Sequence, residues 1–168
     1  ATNPLGDTGS YTYDANGNLE SLTTRNGVTI QYKYNARDEL IKKTVPGLGD
    51  FLYQYDAIGQ LLNASDPDSA VSYAYDLANR LTSASTVGSP GQPQATLNYV
   101  YDKVGVRIQM DDPTGSTIYG YDALNRLKSL TNSLGRTWRW DFDPAGRLTN
   151  QTNPNNTTVS LSFDNADQ

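Results

Sequence analysis

An aromatic-x-aromatic-Asp motif recurs along the whole chain at an almost constant interval. Its second aromatic position falls at 13, 34, 55, 75, 101, 121, 142 and 163, which gives spacings of 21, 21, 20, 26, 20, 21 and 21 residues. All twelve Tyr of the chain lie in the two aromatic positions of this unit. A fixed period of this length is typical of an array of similar supersecondary units, so the repeat limits the fold more than any other feature.

Each repeat is predicted to form two β-strands joined by a tight turn. The two aromatic residues are two positions apart, as in Tyr32 and Tyr34, and therefore share one face of a strand. The Asp accepts hydrogen bonds from turn amides, and the fourth turn position holds Gly, Asn or Asp, which tolerate positive φ. A type I turn closed by a left-handed residue would place Leu19 opposite Tyr13, and likewise in the other copies.

Five positions are expected to define the repeat: the second aromatic residue, the turn Asp, the fourth turn residue, and the Arg and Leu that follow. The residues at these positions that we predict to carry the structure are Tyr13, Asp14, Gly17, Leu19, Tyr34, Leu40, Tyr55, Asp56, Gly59, Leu61, Tyr75, Asp76, Asn79, Arg80, Leu81, Tyr101, Asp102, Gly105, Tyr121, Asp122, Asn125, Arg126, Leu127, Phe142, Asp143, Gly146, Arg147 and Leu148.

A second turn signal follows each hairpin after about five residues, for example Asn26-Gly27 or Leu134-Gly135. The fold class is therefore predicted to be all-β: an antiparallel β-meander of about fifteen or sixteen strands in a coiled ribbon. Residues 1–168 are expected to form a single array of about seven and a half repeats, with a last copy that breaks off at Gln168. The longest spacing is explained by a loop insertion near 87–95.

The amino-acid composition excludes several classes of function. The chain has no His and no Cys, which excludes imidazole bases, thiol nucleophiles, disulfides, and zinc sites built from these residues. A net charge of −5 argues against nucleic acid or an anionic membrane as a partner. The sequence has no apolar run long enough to span a membrane and no signal-peptide pattern, so any export signal is expected outside this chain.

The unit aromatic-x-Tyr-Asp-x-x-Gly-Arg-Leu resembles the YD repeat of the Rhs family. The copies that match it best run from Tyr73 to Leu81, from Tyr119 to Leu127 and from Phe142 to Leu148. Departures are Asn35 in place of Asp, Val106-Arg107 in place of Arg-Leu, and Trp140 with Phe142 in place of the two Tyr. The resemblance covers nearly the whole chain.

The Rhs family includes bacterial polymorphic toxins, insecticidal toxin complexes and the teneurins. The resemblance implies a β-ribbon that spirals into a hollow shell and encloses a C-terminal toxin polypeptide or closes off a cavity. Many members also carry a self-cleaving core module with catalytic aspartates. No segment of this chain matches that module, and Asp111-Asp112 falls where a turn between repeats is expected. We therefore do not predict self-cleavage for this chain.

The repeated side chains favour structural roles over chemical ones. We predict no catalytic residue, no cofactor and no metal site, because no turn Asp differs from its counterparts as an acid pair requires. Asp66-Pro67-Asp68 and Asp111-Asp112 lack the ligand count of a calcium loop and are interpreted as solvated turns.

Two groups of side chains are given more specific roles. Arg80, Arg126 and Arg147 are expected to bridge to a turn Asp of an adjacent repeat. Trp138 and Trp140 could stack a sugar ring.

The prediction is a non-enzymatic structural segment of a YD-repeat shell in a secreted or cell-surface protein. Its partners would be further YD repeats of the same polypeptide and an enclosed toxin or effector polypeptide. A first alternative is a cell-surface module that binds glycans or another protein. A second is a scaffold in which identical chains assemble through open strand edges.

Overall fold

A computed structural model describes residues 9–88 and 94–164 as β-strands and turns. Fifteen strands lie in chain order in one antiparallel sheet, which confirms the predicted fold class. They are β1 (Ser10–Tyr13), β2 (Leu19–Thr23), β3 (Thr29–Tyr34), β4 (Leu40–Val45), β5 (Gly49–Tyr55), β6 (Leu61–Ser65), β7 (Ser69–Tyr75), β8 (Leu81–Gly88), β9 (Ala95–Tyr101), β10 (Arg107–Asp112), β11 (Gly115–Tyr121), β12 (Leu127–Thr131), β13 (Thr137–Phe142), β14 (Leu148–Thr152) and β15 (Thr158–Ser160).

The described chain contains no helix that is long and apolar enough to cross a membrane. The chain divides into two compact units. The first comprises residues 1–74 and 84–95, and the second comprises residues 75–83 and 96–168. Both units consist of hairpins of the same kind.

Two sequence expectations concern segments at the limits of the described residues. The insertion near 87–95 lies in part outside them: β8 continues to Gly88, β9 begins at Ala95, and residues 89–93 are not described. The strand expected in the eighth repeat is shorter than predicted. β15 ends at Ser160, although the Leu161 amide still donates to the Thr149 carbonyl at 2.8 Å, and residues 165–168 lie outside the described chain.

One face of the sheet carries the paired aromatic residues of each repeat, whereas the residues on the other face have no type in common, as the alternation of residues predicts. In β3, Tyr32 and Tyr34 are half-buried, whereas Gln31 and Lys33 between and before them are exposed. We call the side that carries the paired aromatic residues the aromatic face. No described residue is fully buried, because the aromatic face of a single sheet is covered only by its own neighbouring side chains.

Rows of three directly opposed residues cross the aromatic face. In one row Tyr119 lies opposite Leu130, which lies opposite Trp138. The middle position has no common character from repeat to repeat and is occupied by Leu22, Lys43, Ala64, Met110, Leu130 and Gln151. Lys43 is accommodated there because its ammonium group lies 5.5 Å from the centroid of the Phe51 ring.

The opposite face is held by polar pairs between neighbouring strands. The hydroxyls of Thr12 and Ser21 are 2.7 Å apart, and the Asn63 amide donates to Ser72 Oγ at 3.0 Å. The Lys42 ammonium group forms an ion pair with Asp50 at 2.6 Å. Hydrogen bonds and opposite charges between facing residues stabilise adjacent strands on this face. Leu52, Val100 and Ile118 also lie on it and are 45%, 42% and 52% exposed.

The turns between repeats differ in length. The 20-residue spacings, 55 to 75 and 101 to 121, contain turns of four and two residues at 66–69 and 113–114. The 21-residue spacings contain turns of five residues at 24–28, 132–136 and 153–157 and a turn of three residues at 46–48. The length of the turn alone therefore does not set the period of the repeat.

Candidate functional site

Seven turns with one geometry join the two strands of each repeat. We call them the Asp turns; they begin at Asp14, Asn35, Asp56, Asp76, Asp102, Asp122 and Asp143. In the Asp122 turn, Oδ1 accepts the amides of Leu124 at 2.9 Å and Arg126 at 3.0 Å, and the Asn125 amide donates to the Asp122 carbonyl at 3.0 Å. The side chain therefore replaces the hydrogen-bond partners that the strands cannot provide at the turn.

The fourth residue of each Asp turn has a positive φ, as predicted. The angle is 58° at Asn125 and 86° at Gly146. A register shift follows in the paired strands, so that Leu127 lies directly opposite Tyr121 and Leu148 opposite Phe142. The turn and its bulge place the Leu beside the second aromatic residue on the aromatic face.

Three Arg side chains bind their own Asp turn. Arg80 Nε donates to Asp76 Oδ2 at 2.7 Å, and the Arg126 and Arg147 Nε atoms lie 2.7 and 2.8 Å from the equivalent carboxylate oxygens. The sequence hypothesis expected these Arg residues to bridge to a turn Asp of an adjacent repeat, but the carboxylate that each one binds belongs to its own turn. Arg80 and Arg126 reach the next turn Asp only at its main-chain carbonyl. Arg follows the Asp by four residues, and the tight turn brings the guanidinium back to the carboxylate of the same turn.

The same three guanidinium groups also contact the next repeat. Their carbon atoms lie 4.8, 4.6 and 4.5 Å from the ring centroids of Tyr101, Phe142 and Phe163. Arg80 Nη1 further donates to the main-chain carbonyl of Asp102 at 3.0 Å. We call this arrangement of Arg80, Arg126 and Arg147 the Arg bridge: a carboxylate fixes the cation, and the cation holds the following aromatic residue.

A rearranged set of side chains forms a related contact at the second Asp turn. Asn35 replaces the Asp, and its amide donates to Glu39, which occupies the position of the bridging Arg, at 2.6 Å. Arg37 binds Glu39 at 2.9 Å, donates to the Asp56 carbonyl at 2.6 Å and donates to the Ala57 carbonyl. The exchange of Asp for Asn avoids two facing carboxylates while Arg37 supplies the cation that reaches the next turn.

The fifth repeat keeps a cation on the aromatic face by other means. Arg107 occupies the Leu position opposite Tyr101. Its guanidinium carbon lies 5.6 Å from the Tyr99 ring centroid and 4.9 Å from that of Tyr119. The departure that the sequence showed at Val106-Arg107 is thus a change of packing partner rather than a break in the array.

Tyr hydroxyls add a second contact between repeats. Tyr34 donates to the Leu19 carbonyl at 3.1 Å, and Tyr101 donates to the Leu81 carbonyl at 2.8 Å. Burial raises the pKa of the Tyr34 hydroxyl, with smaller contributions from Tyr32 and Asp14. The second aromatic position therefore has a polar function that the pattern of rings alone did not indicate.

The turn carboxylates are poor candidates for acid catalysis. The main-chain amide of Arg80 lowers the pKa of Asp76, and the Arg80 side chain and the Ala78 amide act in the same direction. The Arg147 side chain is the first cause of the lowered pKa of Asp143. A general acid at neutral pH needs a raised carboxyl pKa, which is the opposite direction.

The acidic pairs of the linking segments also act within turns. Asp66 Oδ1 accepts the amides of Asp68 at 2.9 Å and Ser69 at 2.7 Å. Asp112 Oδ1 accepts the Thr114 amide at 2.7 Å, and Asp111 Oδ1 accepts the Gln109 side-chain amide at 2.8 Å. Their carboxylate oxygens are engaged by neighbouring donors in the described chain.

The turns between repeats, which we call the linking turns (24–28, 46–48, 66–69, 113–114, 132–136 and 153–157), approach one another through small residues. A Cβ placed on Gly49 would lie 2.6 Å from Pro67 Cγ, and one on Gly115 would lie 2.7 Å from Ser133 Cβ. Both glycines also have positive φ, 97° and 129°. Each glycine therefore serves both the turn and the contact with the next linking turn.

The two Trp side chains lie in different surroundings. Trp138 lines a cleft of about 500 Å³ beside the linking turns 132–136 and 153–157, together with Arg136, Asn153 and two further residues. Trp140 lines a smaller hollow of about 200 Å³, which the carboxylates of Asp122 and Asp141 and the cations of Arg126 and Lys128 also line. The sequence treated the two rings as equivalent, whereas the structure gives only Trp138 a cleft without an acidic lining residue.

Two family models match the chain. The family described as Teneurin YD-shell matches residues 3–118, and the family described as RHS Repeat matches residues 101–137 and 121–158. A comparison with curated protein sequences finds no match.

Several solved structures share the fold. The crystal structure of TcdB2-TccC3-Cdc42 is 22% identical with a TM-score of 0.73, and the match covers 94% of this chain and 10% of that chain. TcdB2-TccC3 without its hypervariable C-terminal region is 23% identical with a TM-score of 0.74, with 94% and 10% covered. The Photorhabdus luminescens Tc holotoxin pore is 22% identical with a TM-score of 0.71, with 92% and 9% covered. The chain thus spans about a tenth of the length of the structures it matches.

Proposed function

Because the chain belongs to the Teneurin YD-shell family of RHS-repeat proteins, we propose that it is a structural wall segment of a shell that encloses a toxin or effector polypeptide. Its direct partners in this proposal are further YD repeats of the same polypeptide. The shell would act outside the cell that makes it, in a secreted or surface-attached protein.

The observation that carries the proposal is the Arg bridge. A wall must stay continuous between its units, and the bridge joins one repeat to the next with a carboxylate, a cation and an aromatic ring. In the described chain the same arrangement occurs at Arg80, Arg126 and Arg147, and Arg37 provides a variant of it. Stability in repeat arrays is the sum of such contacts between neighbours, so their recurrence supports a structural role.

The two faces support a wall that has an inside and an outside. In the described chain the rings of the aromatic face have no covering layer: Tyr11, Tyr13 and Phe163 are exposed and the other rings are half-buried. The opposite face carries hydrogen-bonded polar pairs. Half-buried aromatic rings gain stability when further surface covers them. We expect the aromatic face to pack against other turns of the shell or the enclosed polypeptide.

The carboxylates support a non-enzymatic role. Asp14, Asp76, Asp122 and Asp143 occupy equivalent positions, and hydrogen bonds lower the pKa of each one. An acid–base pair requires two carboxyl groups with pKa values pushed apart by different surroundings. In all four turns the carboxyl group accepts the main-chain amide of the residue four positions later, so its pKa is shifted in the same direction in each.

A graft into a related shell tests the proposal. The segment of TcdB2-TccC3 that matches this chain would be replaced by residues 9–164, and assembly would be followed by electron microscopy. We expect closed particles in which the polypeptide inside resists added protease. Particles that assemble but leave that polypeptide as sensitive as the free polypeptide would contradict enclosure.

The matched control is a graft in which Arg80, Arg126 and Arg147 are all replaced by Met. This variant keeps side-chain length and removes the cation, so we expect open or aggregated particles. If the control assembles as well as the unmodified graft, the Arg bridge does not provide the continuity of the wall. A second graft that restores the relative's own segment with the same junctions tests the junctions themselves.

The self-assembly hypothesis is separable from the shell proposal. In the described chain β1 pairs only with β2, and β15 pairs only with β14. Free strand edges recruit further strands when they are long and flat, but β15 has only three residues. A mass that rises with protein concentration in light scattering would support assembly between identical chains, and a constant monomer mass would exclude it.

A further inference from the structure

The chain contains two Asn-Gly dipeptides, Asn16-Gly17 and Asn26-Gly27, and both lie in turns of the first compact unit. An Asn side chain reacts most readily with the main-chain nitrogen of the next residue when that residue is Gly, because Gly has no Cβ to hinder the approach. Both Asn residues are exposed to solvent, which supplies the water that completes the reaction. The two dipeptides are therefore candidates for spontaneous deamidation.

The main chain has the same geometry at both dipeptides. Each dipeptide lies at the third and fourth positions of a turn, where the Gly17 amide donates to the Asp14 carbonyl at 3.1 Å and the Gly27 amide donates to the Thr24 carbonyl at 2.9 Å. The φ angles of the two glycines are 89° and 81°. The nitrogen that would attack is thus held in the same way at both sites, so the main chain does not distinguish them.

The side chains of the two Asn residues differ in their partners. Asn16 Nδ2 donates to Asp38 Oδ1 at 2.9 Å, so a carboxylate of the next Asp turn fixes this amide. Asp38 also accepts from Asn18 Nδ2 at 2.7 Å, which holds the carboxylate in place. Within residues 9–88 and 94–164, no hydrogen bond engages the side chain of Asn26. One Asn is therefore restrained, and the other is free to rotate.

We propose that Asn26 is a site of spontaneous deamidation and that Asp38 protects Asn16 from the same reaction. The Gly27 main-chain nitrogen attacks Asn26 Cγ and loses its proton, the new C–N bond closes a succinimide ring, and the Cγ–Nδ2 bond breaks as ammonia leaves. Water then adds to either ring carbonyl and leaves Asp or isoaspartate. This modification goes beyond the shell proposal and does not depend on it.

The contact with Asp38 opposes the reaction at Asn16 in two ways. The side chain must rotate toward the Gly17 nitrogen, and this rotation breaks the hydrogen bond to the carboxylate. A carboxylate that accepts from the amide nitrogen also makes the amide carbon less electrophilic. The net contribution of one hydrogen bond corresponds to a change of about 3–10-fold in a rate.

The product has different consequences at the two sites. At Asn26 it places a carboxylate beside Arg25 in a linking turn and changes the net charge of the chain from −5 to −6. At Asn16 it would place a third carboxylate beside Asp14 and Asp38, which already share this part of the turn. Like charges at this distance repel, so protection of Asn16 preserves the Asp turn.

The test follows both sites in the full 168-residue chain during incubation in mildly alkaline buffer. Cleavage after lysine releases residues 1–33 as one peptide that contains both dipeptides. Tandem mass spectrometry locates each deamidated Asn by the mass gained when NH2 is replaced by OH. A parallel incubation in concentrated urea gives the rate of each site in the unfolded chain. Relative to these rates, we expect Asn26 of the folded chain to react about 3–10-fold faster than Asn16.

Substitutions of Asp38 isolate the protecting contact. Asp38→Gly removes the acceptor, and Gly suits the positive φ of 59° at this position. We expect it to raise the rate at Asn16 to that at Asn26 and to leave the rate at Asn26 unchanged. Asp38→Asn keeps an acceptor oxygen and also tolerates positive φ, so Asn16 should stay protected. Circular dichroism verifies that each variant folds, and the comparison within the parent chain needs neither variant.

Three results would overturn the proposal. A relative rate at Asn16 that equals or exceeds the rate at Asn26 in the folded parent chain would show that Asp38 gives no protection. Absence of deamidation at Asn26 over a period in which it reacts in urea would show that the turn itself protects both sites. An unchanged rate at Asn16 in folded Asp38→Gly would assign the protection to another contact.

Discussion

The Asp turns are uniform, whereas the linking turns are of two kinds. All seven Asp turns share one length and one hydrogen-bond pattern, and the linking turns 24–28, 132–136 and 153–157 have that same length and main-chain pattern. The linking turns 46–48, 66–69 and 113–114 are shorter and differ from one another in length. Adjacent Asp turns are joined by cations, and two pairs of linking turns meet through glycine. The Asp turns keep the same geometry in every repeat. The differences between repeats, including the cleft beside Trp138, lie at the linking turns.

Insertions should separate the two classes most clearly. Five Gly/Ser residues placed between Gly47 and Leu48 lengthen a linking turn, and closure of the longer loop costs about 1 kcal/mol. The same insertion between Ala57 and Ile58 also breaks the Asp56 turn and the contacts of Arg37 with that turn. We therefore expect at least twice the loss in free energy of unfolding, measured by urea denaturation. Equal losses would show that the Asp turns are no more constrained than the linking turns.

The exchanged charges of the second Asp turn provide the next largest effect. Asn35→Asp places a carboxylate beside Glu39, whose side chain is 18% exposed, and we expect a loss of about 1 kcal/mol. Adding Glu39→Arg should restore stability, because it recreates the Asp and Arg of the common turn. A double-mutant cycle in urea measures the coupling. If Asn35→Asp does not change the free energy of unfolding, a carboxylate at position 35 is not repelled by Glu39.

Removal of a bridging cation should have a smaller effect. Arg126→Met removes the ion pair with Asp122 and the contact with Phe142, and we expect a loss of about 0.5–1 kcal/mol that shrinks at high salt. Arg136→Met is the matched control in a linking turn, where no ion pair is lost, and it should be neutral. Unchanged stability of Arg126→Met at both low and high salt would eliminate the energetic role of the Arg bridge.

Acid should destabilise the Asp turns, whereas a change of pH near neutrality should not change the stability of the chain. The folded chain lowers the pKa of Asp76, Asp122 and Asp143, so their contribution is complete above the unfolded value of about 4 and is lost as pH falls through the folded values. No His titrates at higher pH. Thermal melts should therefore give a constant Tm between about pH 5 and 8 and a lower Tm below about pH 4.

The matched variant for the acid melts carries Asn at these three Asp positions. Asn35 and Asn132 already accept turn amides through a neutral oxygen, so Asn preserves the turn without a titrating group. We expect a shallower fall of Tm in acid than in the parent chain. A steep fall between pH 7 and 5 in either protein would require a different titrating group.

The hairpins could be predicted from the sequence because their determinants are local. The Asp, the residue that tolerates positive φ and the Leu lie within six residues, so the turn and the pairing of Leu19 with Tyr13 follow from spacing alone. The middle position of the aromatic rows could not be predicted, because Lys43 and Leu130 share no chemical property there. Only the register between strands identifies them as equivalent.

The Arg contacts were predicted at the correct positions with the wrong acidic partner. Spacing identifies Arg126 as a recurring residue, but an Arg side chain is long enough to reach either its own turn or the next one. The role of Arg37 was missed altogether. The combination of Asn35 and Glu39 at the positions of Asp and Arg was the signal that could have revealed it, because such a paired exchange indicates that the two side chains touch.

The Arg bridge also has a direction along the chain. Arg80, Arg126 and Arg147 are each fixed by a carboxylate that precedes them by four residues, and each contacts an aromatic residue that follows, by 21 residues for Arg80 and by 16 for Arg126 and Arg147. When the polypeptide leaves the ribosome, the cation is therefore in place before its aromatic partner has been synthesised. Each Arg bridge thus points from a repeat that is synthesised earlier to one that is synthesised later.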